Sequence, residues 1–443
     1  MRFNPTYNNI WGISFPIIIA GVGETIVDIT DTIFLARYGV TELAAVGLAD
    51  AIYGVALFLS LGLVDGMQII IGRRAGQGQQ KEIGRVFNQG IYLLTLVSIT
   101  FILVILFIVP ATTSMVFASD DVQDAVNKYL QITAYALLFQ SLNLAYSAFY
   151  IGISRTRVLI GATAVLAFSN IALDYLLIFG KLGLPEMGIE GAAFATITAE
   201  VAVFLFLTLD VLRKGYARQY GLLQVASWNH LYSKKLIAIS TPVSLEALVE
   251  TLKWFLFFLI FEQLGEVALA SATIIYSCYA LFLVPIDGFA ETVCTMVSNL
   301  IGQQRIPQLK LLIRRTIKLN YMVIAPMLIL SLAQPEFVLS IFTPDETIIK
   351  ASINSLFVVM LTSMIAAPGI TYYAAVFGTG DTPAILIIQI VVAICTVGIA
   401  YYCALYLGLE LEYIWLAEMA GWLVCLGLSW FWFKSERWKK LEI

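Results

Sequence analysis

Over nearly its whole length the chain is a succession of apolar runs about twenty to twenty-eight residues long, separated by short polar stretches. Runs of this length match the roughly 20 residues that a helix needs to cross a bilayer core. In lipid every backbone N–H and C=O needs a partner within its own element, and these runs lack the period-2 alternation of barrel strands, so they are helices. Composition agrees: the 443 residues are 60% hydrophobic and 13% charged, with a mean hydropathy of +0.87. The fold class is therefore all-α, a polytopic membrane protein. A charge in hydrocarbon costs several kcal/mol, so carboxylates inside the runs are where function is to be sought.

Flanking polar residues divide the chain into twelve expected spans, near 10–36, 44–71, 87–113, 127–152, 157–180, 189–212, 236–261, 269–296, 317–341, 351–377, 384–408 and 411–433. Basic residues cluster after the even-numbered spans: Arg73, Arg74, Lys81 and Arg85 after the second, Arg213, Lys214, Arg218, Lys234 and Lys235 after the sixth, and Lys434, Arg437, Lys439 and Lys440 after the twelfth. Arg2 lies on the same side, whereas the opposite loops carry Asp120, Asp121, Asp124, Glu186, Glu262, Glu266, Asp345 and Glu346. By the positive-inside rule both termini are expected in the cytoplasm.

The net charge of -4 is segregated by membrane side and gives no basic face for nucleic acid. All five cysteines (Cys278, Cys294, Cys395, Cys403, Cys425) lie in apolar spans and read as small core residues. The single histidine, His230, sits in a polar stretch, so neither a transition-metal site nor His-based catalysis is expected. The first apolar run is too long for a cleavable signal peptide and continues into span one. No enzymatic activity and no cofactor are expected.

A gapless superposition exposes an internal repeat. Pro16 falls on Pro242, an offset of 242 − 16 = 226, and the same offset pairs Ser14 with Ser240, Glu24 with Glu250, Tyr53 with Tyr279, Gly62 with Gly288, Asp65 with Glu291, and Gly152 with Gly378. Each half holds six spans, an even number, so the halves have parallel topology and a pseudo-twofold axis along the membrane normal. The expected organisation is an N-terminal six-helix lobe (1–212), a cytoplasmic linker (213–235) and a C-terminal six-helix lobe (236–443), with a substrate path between the lobes.

The first lobe concentrates the acids. Glu24, Asp28 and Asp31 stand at i, i+4 and i+7 and share one helical face. Three such carboxylates in a low-dielectric site cannot all ionise cheaply, so at least one is expected to take a proton or need a cation; the alternative is that one or two face a water-filled vestibule or pair with Arg37. Spans one and five both run outward, which puts Asp31 and Asp174 at similar depth; Asn170, four residues before Asp174, shares its face, and Thr196 on span six lies in the outer half as well. These are all-oxygen groups of the kind a hard cation prefers, and protonated carboxyls bonded to Asn and Thr serve equally well. Glu250 has Glu246 and Lys253 on its own face, so an intrahelical ion pair and a substrate role both remain open.

Pro16 followed by Thr30-Asp31-Thr32-Ile33-Phe34 and Leu43-Ala44-Ala45-Val46-Gly47 resembles the first-helix signature of the multidrug and toxic compound extrusion (MATE) transporters. Asn170-Ile171-Ala172-Leu173-Asp174 and Gly191-Ala192-Ala193-Phe194-Ala195-Thr196 resemble that family's fifth- and sixth-helix segments, and the likeness spans the whole chain. The resemblance implies a monomeric antiporter in a prokaryotic plasma (inner) membrane, among lipids, exporting organic cationic or amphipathic compounds by alternating access in exchange for H+ or Na+. It makes Asp31, Asn170, Asp174 and Thr196 the coupling-ion ligands, Glu250 the helix-seven acid of one branch, and Pro16 the point at which the first helix bends; Glu24 and Asp28 depart from it, standing where relatives carry uncharged polar residues, and are expected with Glu250 to be accessory acids of the substrate cleft. One branch of the family also has an acid on helix ten; residues 360–376 contain none, which departs from a second-lobe cation site.

A flippase of lipid-linked oligosaccharide, from the same wider superfamily, is the alternative. It calls for a basic cleft, and the span interiors offer only Lys253. A channel would not need clustered carboxylates in one lobe. The topology is open to direct measurement: cysteines placed near Ser119 and near Gln224 should label from opposite faces of the membrane, and labelling from one face would remove the repeat along with the topology.

Overall fold

The computed structural model describes residues 4–116, 120–224 and 228–440, so Arg2 and Ser119 lie outside the described residues. We label the membrane helices α1 (Tyr7–Tyr38), α2 (Val40–Gln77), α3 (Gln80–Leu103, continuing through a π-helical turn into Val109–Val116), α4 (Asp120–Thr133 and Ala136–Gly152), α5 (Arg157–Ile178) and α6 (Gly188–Arg213). The second series is α7 (His230–Glu262), α8 (Glu266–Gly302), α9 (Leu309–Ala333), α10 (Glu346–Gly378), α11 (Thr382–Tyr401, ending in a π-helical turn) and α12 (Leu411–Ser435). Among the described residues ten helices are long and apolar enough to cross a membrane. The remaining two expected spans are α4, broken by a turn, and α7, whose Glu246, Glu250 and Lys253 lower its hydropathy. The chain is an integral membrane protein. The ninth helix ends at Ala333, eight residues before its expected limit, because Pro335 starts a separate short helix (Pro335–Ser340).

The chain divides into two compact units, but not at the expected boundary. One comprises Ile19–Ser244; the other joins Met1–Ile18 to Leu245–Ile443. The chain therefore passes between units inside α1 and inside α7, two residues after Pro16 and two after Pro242. Packing explains the exchange of ends. In the second unit Ile10 and Ile13 of α1 are buried in a core with Phe289, Val293 and Val297 of α8. There Ser14 Oγ donates to Thr292 Oγ1 at 2.8 Å, and Arg305 Nη2 donates to Asn4 Oδ1 at 2.7 Å. In the first unit the start of α7 is held in the same way: Ser233 Oγ donates to Gln89 Oε1 at 3.2 Å, and the Tyr232 hydroxyl donates to Glu82.

One glycine in each unit permits this approach. A Cβ on Gly62 would lie 2.8 Å from the Ser244 backbone nitrogen, and one on Gly288 would lie 3.2 Å from that of Ile18. The two pairs are repeat mates, since 288 − 62 = 244 − 18 = 226. The 213–235 segment also departs from a free linker. Ala217–Gly221 forms a π-helical turn, Tyr220 packs its ring 5.3 Å from that of Phe149, and Asn88 Nδ2 donates to Gly221 O at 2.9 Å. Its aromatic residues have apolar area to bury, and the first unit buries it.

Separate cores hold the two units. The first gathers Leu35, Tyr53, Ile105, Leu130, Ile178 and Ala193. The second has an aromatic centre at Trp415, which Phe257 meets edge-on at 5.2 Å. Because a helical Gly→Ala normally gains about 1 kcal/mol, the sign of its effect reads out the close approach. Gly47→Ala, with nothing within 4 Å, should raise the thermal midpoint in detergent or leave it unchanged, whereas Gly62→Ala should lower it through overpacking of about 1–3 kcal/mol.

Candidate functional site

In the first unit α1 and α5 bring Asp31, Asn170 and Asp174 together. Asp174 is fully buried, Asn170 is 2% exposed, and Asp31 is half-buried. With its amide nitrogen turned toward the acids, Asn170 donates to Asp31 Oδ1 at 2.9 Å and to Asp174 Oδ2 at 3.1 Å. The two carboxyl groups lie within hydrogen-bonding reach of one another. Asp174 Oδ1 is buried with no hydrogen-bond partner. Two carboxylates this close cannot both stay ionised without a proton or a cation between them. One amide donor does not supply a full charge, and the orphan oxygen is an acceptor available to one.

Thr196, the fourth expected ligand, instead turns its hydroxyl back on its own helix and donates to Ala192 O at 3.0 Å. A threonine in a helix has this backbone carbonyl always within reach, and its lone pairs remain available. Glu24 and Asp28 are exposed side chains on the Asp31 face, close enough to one another for their charges to interact, as are Asp28 and Asp31. Pro16 lies inside an otherwise continuous α1.

Glu250 is an ion-pair partner. Lys253 Nζ, on a side chain 2% exposed, lies 3.0 Å from Glu250 Oε1 and 3.4 Å from Glu418 Oε1, and 4.6 Å from the centre of the Trp254 ring. Trp254 Nε1 also donates to Glu250 Oε1 at 2.7 Å, and Gln389 Nε2 donates to Oε2. Glu250 nevertheless borders a cavity of about 280 Å³ in the second unit, with Asp287, Glu291, Tyr373, Phe377 and Trp422. Its aromatic walls are fixed by hydrogen bonds: Tyr373 OH donates to Glu246 Oε1 at 2.8 Å, and Trp422 Nε1 to Tyr279 OH at 2.6 Å.

Sequence reasoning passed over Asp50, Glu200 and Asp287, and met Glu291 only as a repeat mate. The usable signal was the one that identified Asp31: an acid inside an apolar run, which for Asp287 and Glu291 recurs at i and i+4.

A family model described as MatE matches residues 16–176 and 242–402. Both ends of the two matches are offset by the repeat, 242 − 16 = 402 − 176 = 226. The chain is 25% identical to "Probable multidrug resistance protein NorM" of Thermotoga maritima over 435 residues, 97% of this chain and 93% of that protein. It is 24% identical to "Multidrug resistance protein NorM" of Aliivibrio fischeri over 387 residues, 84% and 81% of the two chains. Among solved structures, "Crystal structure of MATE in complex with MaL6" superposes with a TM-score of 0.91 at 22% identity, covering 98% of this chain and 97% of that one. "Outward-facing conformation of a multidrug resistance MATE family transporter of the MOP superfamily" gives 0.88 at 22%, covering 98% and 96%.

The Lys253 cluster carries its own test. Removing one member of a buried ion pair typically costs about 3–5 kcal/mol, because the partner is stranded. Lys253→Met should sharply lower the thermal midpoint in detergent, and adding Glu418→Leu should recover a substantial part of the loss. Two independent, additive losses would contradict the pairing.

Proposed function

The chain belongs to the MatE family, and from that premise we propose that it is a cation-coupled antiporter that exports organic compounds across the cytoplasmic membrane. Membership places it among transporters rather than enzymes. The relatives' names, multidrug resistance proteins, support efflux as the direction of transport. The observation that carries the coupling is the Asp31–Asn170–Asp174 cluster, which combines deep burial, two acids and one neutral donor.

The coupling ion is cargo, a proton or Na+. Bound between Asp31 and Asp174 it removes their repulsion and draws α1 toward α5. The Asn170 amide holds the two acids in register while the charge enters and leaves. Pro16 removes one backbone hydrogen bond from α1, so that helix can change its bend at low cost. A charged and a neutralised cluster then favour different arrangements of α1. Differential affinity of ion and substrate for those arrangements is what drives exchange. Thr196 adds a ligand if its hydroxyl leaves the Ala192 carbonyl.

The substrate class follows from the second-unit cavity. Asp287 and Glu291 line it with carboxyl groups, and Tyr373, Phe377 and Trp422 offer ring faces, a combination suited to flat organic cations. No basic residue is among those lining the cavity, which disfavours a lipid-linked pyrophosphate. Glu24 and Asp28, exposed on α1, act as attracting charges, and the cytoplasmic placement of both termini rests on the positive-inside pattern.

Efflux from proteoliposomes under separately imposed pH and sodium gradients tests the proposal. One of the two gradients should drive export by wild-type protein. Asp31→Asn should abolish gradient-driven export while leaving the thermal midpoint near wild type, and Asp174→Asn should do nearly the same. Export by Asp31→Asn at the wild-type rate sinks the proposal. Asp287→Asn and Glu24→Gln should weaken cationic substrates more than neutral ones.

A further inference from the structure

The first unit contains a second buried carboxylate that the coupling cluster does not use. Glu200 on α6 is 8% exposed, and its Oε2 accepts from Asn143 Nδ2 at 2.7 Å; the same amide group donates to the Glu200 backbone carbonyl at 2.9 Å. Asn143, 7% exposed, has its amide oxygen buried with no hydrogen-bond partner. Glu24 on α1 and Tyr53 on α2 lie within electrostatic range of Glu200, and the Tyr53 hydroxyl donates to Gln140 Oε1 at 2.9 Å. Among the described residues no lysine or arginine forms an ion pair with Glu200.

The repeat supplies an internal control. Glu24 is the mate of Glu250, and in the second unit that acid, with a second buried carboxylate, Glu418, is answered by the ammonium of Lys253. The mate of Lys253 is Val27, since 253 − 226 = 27. Glu418 falls on Ala192 and Glu200 on Leu426, so the first unit keeps the α1 acid, carries its second carboxylate eight residues further along α6, and has no lysine at the mate of Lys253. A carboxylate with one neutral donor is costly to bury, and the orphan amide oxygen is a further acceptor with nothing to accept from.

We propose that Glu200, Glu24 and the Asn143 amide oxygen form a binding site for one monovalent cation, Na+ or a proton, separate from Asp31 and Asp174. The first unit then loads two positive charges, one at each site. This inference rests on the coupled-exchange reading, and its test keeps the two apart because binding is measured without transport. Full-length protein in detergent is titrated with 22Na+ at fixed pH, and proton release is followed with a pH dye in the same titration. Wild type should show two equivalents of charge bound or exchanged. Glu200→Gln, which keeps an oxygen for Asn143, should lose one equivalent in the sodium or the proton arm, and the arm that changes identifies the ion. Glu24→Gln, on an exposed side chain, should weaken the same equivalent. Asp31→Asn should keep that equivalent and lose the other; if it loses neither, the coupling assignment fails while the second site stands. Wild-type counts in both arms for Glu200→Gln overturn the inference.

Discussion

Two carboxyl groups placed side by side in an apolar helix bundle set the terms for the rest of the first unit. Asp31 and Asp174 share a single neutral donor, Asn170, and one oxygen of Asp174 is left without a partner. A buried Asp174 beside a half-buried Asp31 disfavours two free negative charges, which is why the proposed exchange gives the cluster a proton or a cation. In that proposal the helices that carry it tolerate two charge states. A cluster already neutralised by an internal lysine would have one state, and nothing to couple.

The second unit illustrates that other solution. Glu250 and Glu418 flank the Lys253 ammonium, and Trp254 and Gln389 also donate to Glu250. Buried charges arranged in this way fix packing more than they provide a site for exchange. Two further carboxylates of this unit, Asp287 and Glu291, line the aromatic cavity beside it. The two repeats have thus kept one backbone plan, with matching glycines at Gly62 and Gly288 and matching exchanges of helix ends, while distributing charge in opposite ways.

Much of this was legible in the sequence because the bilayer imposes it. Run length gave the helices, the offset of 226 gave the repeat, and the helical spacing of Asn170 and Asp174, with depth matched to Asp31, gave the cluster. What stayed hidden depended on contacts far apart in sequence. The burial of Ile10 and Ile13 against Phe289 and Val293 cannot be read from periodicity, so the unit boundary expected at 212–236 falls inside α1 and α7. The i,i+3 spacing of Glu250 and Lys253 was visible, but the second partner, Glu418, is 165 residues from the lysine. Asn143 and Glu200 are 57 residues apart, and neither suggests the other in a one-dimensional reading. The preference of the Thr196 hydroxyl for the Ala192 carbonyl is a local choice of rotamer that spacing does not reveal.

The central claim is that a positive charge at Asp31 and Asp174 moves opposite to substrate. It is tested most directly by the charge displaced when substrate is jumped on one side of a proteoliposome layer with no ion gradient imposed. The account predicts a flux of protons or sodium ions opposite to the substrate, present in wild type and absent in Asp31→Asn. Substrate movement with no accompanying ion flux, or with ions moving in the same direction, would contradict it.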